Sequence, residues 1–331
     1  MAYEVSPIFI VQGIVGVLGM LGNALVCLVI WQDRAMHTLT NAFIFNQATV
    51  DFLGSIVMLL SSVVPISRPL PGGVAGLLLC KIWISNYFLW AFYVVSSFNL
   101  VALTFERYLA IVYPFKFQTI CSRVGAAVAI TCVWLAGLAV AVYATELYRF
   151  DVDHCHRYFD FKLRVIGVLV PGLQFFIPVA SMLFAYTHIM VELKRSARRH
   201  ANISVVSGPS NHANPVHESA DESLLRARRN TFKTLVMVFA AFVCCWSLNA
   251  SLLLSANLGA PFDDASPQYI ISVALVAANS AVNPLIYAFK YKQFQAGFKK
   301  LFCRGRGGAT VQPETSLNSV NTRATEVTVG V

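Results

Sequence analysis

Long apolar runs broken by short polar punctuation dominate the chain. They occupy residues 8–31, 42–66, 81–113, 124–145, 165–191, 231–258 and 268–289. About 20 apolar residues form a helix that crosses the hydrocarbon core of a bilayer, so the pattern predicts seven membrane spans. Turn-forming residues separate them, as in Arg68-Pro69-Leu70-Pro71-Gly72-Gly73 and Pro261-Phe262-Asp263-Asp264. The runs do not alternate polar and apolar residues as barrel strands do. No period of about 20–50 residues recurs, which excludes a repeat array. The first run is long enough to span and has no basic flank ahead of it, so no cleavable signal peptide is expected.

Three stretches fall outside this pattern. Residues 192–230 are polar with basic clusters at both ends and predict a mobile inner loop; 305–331 is a Ser/Thr-rich tail expected to be disordered. Between the seventh run and the tail, Phe294, Phe298 and Phe302 recur every four residues, with Lys292, Lys299 and Lys300 elsewhere on the wheel. That spacing predicts an amphipathic helix lying along the membrane surface. The expected organisation is an outer N-terminus (1–7), a seven-helix bundle (8–290), an interfacial helix (291–303) and a tail (304–331). The fold class is an all-α membrane protein.

Composition supports the reading. Of 331 residues, 57% are hydrophobic and 12% charged, about half the charge of a soluble domain. The numbers exclude an ordinary soluble enzyme, a disordered chain and a small disulfide scaffold. A net charge of +9 does not indicate nucleic acid, because the basic residues fall between apolar runs rather than on one wettable face. Nineteen of the 25 Lys and Arg lie on one side if the N-terminus is outside, and basic residues collect on the cytoplasmic side. The N-terminus is therefore expected outside.

An ionisable residue within a span is costly and marks function by default. One lies at mid-depth, Asp51. Glu106-Arg107-Tyr108 closes the third run, and Asn279 and Ser280 lead into Asn283-Pro284-Leu285-Ile286-Tyr287 in the seventh. With Asn23, Trp134, Pro178, Tyr186 and Phe242-Val243-Cys244-Cys245-Trp246, these stand in order, each on its own run. Glu-Arg-Tyr alone occurs by chance; the set does not. From about residue 8 to 303 the chain resembles the rhodopsin-like (class A) G-protein-coupled receptors.

The resemblance implies a heterotrimeric G protein as partner and no catalytic group. It implies a switch in which Arg107, resting on Glu106 beside Tyr108, is freed as span six swings out, with Tyr186, Asn283, Pro284 and Tyr287 rearranging. It implies a disulfide between Cys80 and Cys155, and an allosteric sodium site at Asp51, Ser96, Asn279 and Asn283. The alternative for Asp51 is a carboxyl held only by hydrogen bonds. Cys303 is placed for palmitoylation, and the Ser/Thr-rich tail for arrestin and receptor kinases. Trp134 and Pro178 read as packing and kink residues, and Gly13, Gly16, Gly19 and Gly22 as a stripe for close helix approach.

Three departures from the family pattern stand out. Cys80 lies 27 residues before Arg107, two more than is usual, which implies a bulge or a longer outer end of span three. Leu248 replaces the usual proline two residues after Trp246. Arg226, Arg228 and Arg229 stand at the inner end of span six, where an acid facing Arg107 is common.

The ligand reading rests on the outer half. No Asp or Glu lies in 81–105 and Leu89 stands near the place of the amine-pairing carboxylate; Ala277 stands where a retinal-binding lysine would be. Amines and retinal are therefore disfavoured. Trp90, Tyr93, Gln174, Phe175, Trp246 and Asn249 are the expected pocket lining, with a peptide as the first choice and a lipid or small non-amine molecule as the alternative. A transporter would require two related halves with broken helices, and a membrane enzyme would require clustered acids or histidines; neither pattern appears.

Overall fold

The computed structural model describes residues 7–64, 66, 69–158, 160–206, 215–263 and 266–303. Readings on the tail from 304, and on the side chains of Arg226, Arg228 and Cys303, lie outside the described residues. Seven helical segments are long and apolar enough to cross a membrane, at Ile10–Gln32, Leu39–Val63, Gly73–Val112, Arg123–Glu146, Phe161–Arg199, Arg229–Asn257 and Pro267–Lys290. They are referred to below as spans one to seven.

Each helix starts where local chemistry favours it. Thr38, Ser122, Asp160 and Ser266 cap spans two, four, five and seven by accepting a backbone N–H from the first turn. The glycine stripe of span one serves close approach. A Cβ at Gly16 would meet Leu59 and the Ser55 carbonyl at 3.3 Å, and one at Gly22 would meet the Pro284 ring at 3.0 Å. Spans one, two and seven thus pack backbone to side chain around Asp51.

The two extra residues before Arg107 are absorbed locally. Span three begins with α1 (Gly73–Leu78), passes through a π-turn at Leu79–Ile84, and resumes as α2 (Tyr87–Val112) after Asn86. Asn86 adopts φ 54°, a left-handed conformation that asparagine tolerates well. The expected bulge is therefore present.

Two features were not foreseen. The loop after span four folds into a hairpin, β1 (Tyr148–Asp151) with β2 (His154–Arg157), paired antiparallel with Phe150 opposite Cys155. The segment expected to be a loop at 192–230 is largely helical among its described residues: α3 (Ile177–Val206) enters it from span five and α4 (Pro215–Asn257) leaves it as span six. Its Ala, Arg, Leu and Glu residues favour helix, and proline is well tolerated at a first helical position.

Beyond span seven, α5 (Lys292–Cys303) turns Phe294 into the core, with Phe298 and Leu301 packed against it. Gly297 lets it approach span one, since a Cβ there would sit 3.0 Å from Val29 and Met36. Lys300 bonds to Asp33 at 3.1 Å. The amphipathic helix thus docks on the bundle with part of its aromatic stripe.

Candidate functional site

Asp51 lies at the centre of the bundle, 1% exposed. Four donors reach its carboxylate. Ser96 at 2.9 Å and Ser280 at 3.1 Å donate to Oδ1; Asn283 at 2.9 Å and Gln47 at 3.1 Å donate to Oδ2. An ionised carboxylate offers about four acceptor positions, so its capacity is filled. Asn23 does not touch Asp51, but its amide donates to the carbonyls of Gly19 and Ser280, each at 2.9 Å.

The second of those bonds follows from Pro284. Proline has no N–H, so the carbonyl four residues earlier loses its helical partner. That carbonyl belongs to Ser280, and Asn23 supplies the missing donor. The same device recurs in span five. Pro178 releases the carbonyl of Gln174, which accepts a 2.7 Å bond from the Ser97 hydroxyl of span three. A π-turn at Gly172–Phe176 precedes that proline. Each proline therefore ties its own span to a neighbour. Span six carries no proline in Phe242–Leu248 and runs through Leu248 unbroken.

At one end of the bundle, Glu106 holds Arg107. Nε donates to Oε2 at 2.5 Å and Nη2 to Oε1, a charge-assisted two-point pair. The Thr40 hydroxyl of span two also donates to Glu106, at 3.2 Å. Tyr186 of span five shares a 2.9 Å bond with Thr104 and packs edge-on against Phe232 and Phe239 of span six. Tyr287 is buried against Tyr291, with no partner for its hydroxyl. The Tyr291 hydroxyl donates to Asn41 at 2.7 Å. Tyr291 stands just beyond span seven, where burial pushes its hydroxyl up to about 12.

At the other end, a disulfide joins Cys80 to Cys155, with Cα atoms 5.5 Å apart. It fixes the hairpin over the π-turn of span three. Beneath the hairpin lies a cavity of about 330 Å³, lined by Gln12, Ser61, Ser85, Asn86, Trp90 and Arg157 among others. The Arg157 guanidinium lies over the rings of Phe262 and Tyr148, at 5.1 and 5.9 Å. No carboxylate lines this cavity among the described residues.

From the cavity an aromatic ladder descends into the core. Trp90 meets Tyr93 edge-on at 6.1 Å and Tyr93 meets Trp246 at 6.4 Å. Phe242 follows at 5.7 Å and Phe175 at 5.9 Å. The Trp246 indole N–H is buried with no partner. Few buried donors are left unpaired in folded proteins, and those that are need an explanation.

A model of the 7 transmembrane receptor (rhodopsin family) matches residues 22–287. The chain belongs to that family. Mouse (Mus musculus) Trace amine-associated receptor 9 is 29% identical over 314 residues, covering 90% of this chain and 86% of the relative. Zebrafish (Danio rerio) Galanin receptor 2b is 28% identical over 323 residues, covering 91% and 77%. The crystal structure of squid rhodopsin shares the fold with a TM-score of 0.72 at 20% identity, covering 91% of this chain and 86% of that one. Rhodopsin-family receptors are multi-pass membrane proteins, not enzymes; they answer an extracellular ligand and couple to a G protein.

In this receptor the expected switch residues come together in part. Glu106 and Arg107 form a pair, while Tyr186 bonds to Thr104 and the Tyr287 hydroxyl is buried without a partner. Tyr108 stacks at the bundle's edge on Phe184 and His188.

Of the six residues expected to line the ligand pocket, Trp90 lines the cavity. Tyr93, Gln174, Phe175, Trp246 and Asn249 are buried below it, and Asn249 donates to Ser272 at 3.0 Å. The cavity opens among spans one, two, three, four and seven and the hairpin. Gly167 lets spans four, five and six approach closely, with the Tyr143 hydroxyl within hydrogen-bond distance of the Leu163 carbonyl and of Asn257.

Of the expected sodium set, Ser96 and Asn283 donate to Asp51, while the Oδ1 atoms of Asn279 and Asn283 are buried with no hydrogen-bond partner. Sequence reasoning missed Gln47 and Ser280, which complete the Asp51 cluster. A buried glutamine one helical turn before an intramembrane aspartate was the available signal.

Proposed function

We propose that this receptor takes an extracellular peptide at its disulfide end and passes the signal to a heterotrimeric G protein at the Arg107 end. The observation that carries the ligand class is the cavity lining. A cationic amine finds no carboxylate there among the described residues, whereas peptide carbonyls and a terminal carboxylate would meet hydroxyls, amides and the Arg157 guanidinium. The hairpin adds a wall of alternating side chains above them. The names of the relatives point both to amines and to galanin, so ligand class is argued from the cavity.

On this reading the N-terminus is outside and the receptor works in the plasma membrane. The ladder from Trp90 to Phe242 links the cavity to span six. The donors left unpartnered in this arrangement, Trp246 Nε1–H and Tyr287 O–H, gain partners in the signalling one. Arg107 then leaves Glu106 to meet the G protein, with Tyr186, Asn283 and Pro284 allowing spans five, six and seven to shift around Tyr108. The tail from residue 304 engages receptor kinases and arrestin, and Cys303 carries a lipid. The test is a G-protein dissociation panel in transfected cells, challenged in parallel with peptide and biogenic-amine libraries. Activation by a peptide is expected. A response confined to amines would overturn the ligand class and leave the receptor assignment standing.

A further inference from the structure

Gln47 is not idle packing beside Asp51. Its orientation is dictated by a chain of hydrogen bonds that begins on another span. The Trp134 indole N–H can only donate, and it donates to Asn46 Oδ1 at 2.9 Å. That sets which end of Asn46 is which, so its Nδ2 donates onward to Asn99 Oδ1 at 2.8 Å. Asn99 Nδ2 then donates to Gln47 Oε1 at 2.8 Å and to the Phe43 carbonyl at 3.0 Å. With its oxygen committed to Asn99, Gln47 must aim its NH₂ group at Asp51 Oδ2 and at Ser96 Oγ. Gln47 and Asn99 are fully buried, so bulk solvent reaches neither.

A hard cation such as sodium needs oxygen lone pairs around it. An amide NH₂ group supplies none, and its hydrogens carry the same sign of charge as the ion. Turning Gln47 over would set its NH₂ against the NH₂ of Asn99. Relieving that clash means reversing Asn99 and Asn46 in turn, and the reversal ends on an indole that cannot accept. A buried donor left facing a donor loses a hydrogen bond that nothing replaces, so the relay resists reversal at each link.

We propose that the Gln47 side-chain amide takes the place of the sodium ion implied by the family resemblance, making Asp51 of this receptor indifferent to sodium. The relay Trp134–Asn46–Asn99–Gln47 specifies that occupancy. The inference concerns the ion alone and does not depend on the ligand class proposed above.

The test uses the full-length receptor in lipid nanodiscs and needs no ligand. Thermal unfolding is followed as NaCl replaces choline chloride at constant ionic strength. The wild-type midpoint is expected to stay constant within about 1 °C. Gln47→Leu removes the amide and frees acceptor positions on Asp51 and Ser96, so its midpoint is expected to rise with sodium by about 2–4 °C. Asn99→Ala releases the Gln47 oxygen to turn toward the ion; it is expected to gain a similar response and serves if Gln47→Leu does not fold. A wild-type midpoint that climbs with sodium overturns the proposal. So does a folded Gln47→Leu or Asn99→Ala variant that remains indifferent to sodium.

Discussion

Replacing Glu106 with glutamine should raise ligand-free signalling. In the present arrangement Glu106 is the resting partner of Arg107, bonded at two points, with Thr40 bonded to the same carboxylate. Glutamine keeps one oxygen for Thr40 or for one Arg107 N–H, but its NH₂ group then faces a guanidinium donor. A hydrogen bond to a charged partner contributes about 1.5–3 kcal/mol. The Arg107 side chain is 20% exposed, and solvent screening places the pair near the lower end of that range. About 1.4 kcal/mol is a tenfold change in an equilibrium constant. A receptor resting at about 99:1 would then sit near 10:1, and basal activity would rise from about 1% to about 10% of maximum. The assay is G-protein dissociation without ligand at matched surface expression. Thr40→Ala, which leaves the Arg107 pair intact, should produce a smaller rise. If Glu106→Gln leaves the basal signal unchanged, the pair is not what holds Arg107.

Cys80→Ala and Cys155→Ala should each lower surface expression and thermal stability, and the double variant should be no worse than either, because all three lose one bond. The bridge closes a separation of 75 residues, for which the chain-entropy model gives about 4.5 kcal/mol as an upper figure. Clearly additive losses would show that the cysteines act separately. Gly137→Ala should lower the melting midpoint, since its Cβ would lie 2.9 Å from Val95 N and 3.0 Å from Val95 Cα, forcing spans three and four apart; overpacking of this kind costs about 1–3 kcal/mol. Gly72→Ala, which meets nothing within 4 Å, is the control and should melt like wild type. Burial, reinforced by Glu106 and opposed by Arg107, pushes the Cys121 thiol up. A raised thiol pKa means less thiolate at a given pH, so maleimide labelling of Cys121 should be slower than for a free cysteine near pH 8. The rate should still be climbing above about pH 9; a plateau below pH 8 would contradict the burial.

The seven spans were legible because bilayer thickness sets a length that apolar runs must meet. The positions of Arg107 and Asp51 were legible because charge inside such a run is rare. The disulfide followed from the family resemblance. What remained hidden depended on contacts between distant spans. Nothing in the local pattern says that Gly167 lets spans four, five and six approach closely. Gln47 and Asn99 read as isolated polar residues until Trp134 is seen to align them. The hairpin leaves little trace in the sequence because two four-residue strands under a disulfide carry little hydrophobic periodicity, and the helical extensions into 192–230 are hidden because the polar composition there suggests a loop.

The π-turn at Leu79–Ile84 has a consequence for phase. Successive residues of an α-helix advance by about 100°, so two extra residues in an unbroken helix would swing everything beyond them by about 200°. Here the π-turn and the left-handed Asn86 separate the two phases, so α2 keeps its own rotation as far as Tyr87. Counting back from Arg107 is therefore a valid guide to side-chain direction down to Tyr87 and loses its meaning above it. Lys81 illustrates the break: its amino group donates to the Thr145 carbonyl at 2.9 Å and lies 3.8 Å from Glu146, turned to span four. Equal offsets from Arg107 above Tyr87 will compare side chains that point in different directions in this receptor and in relatives without the extra residues.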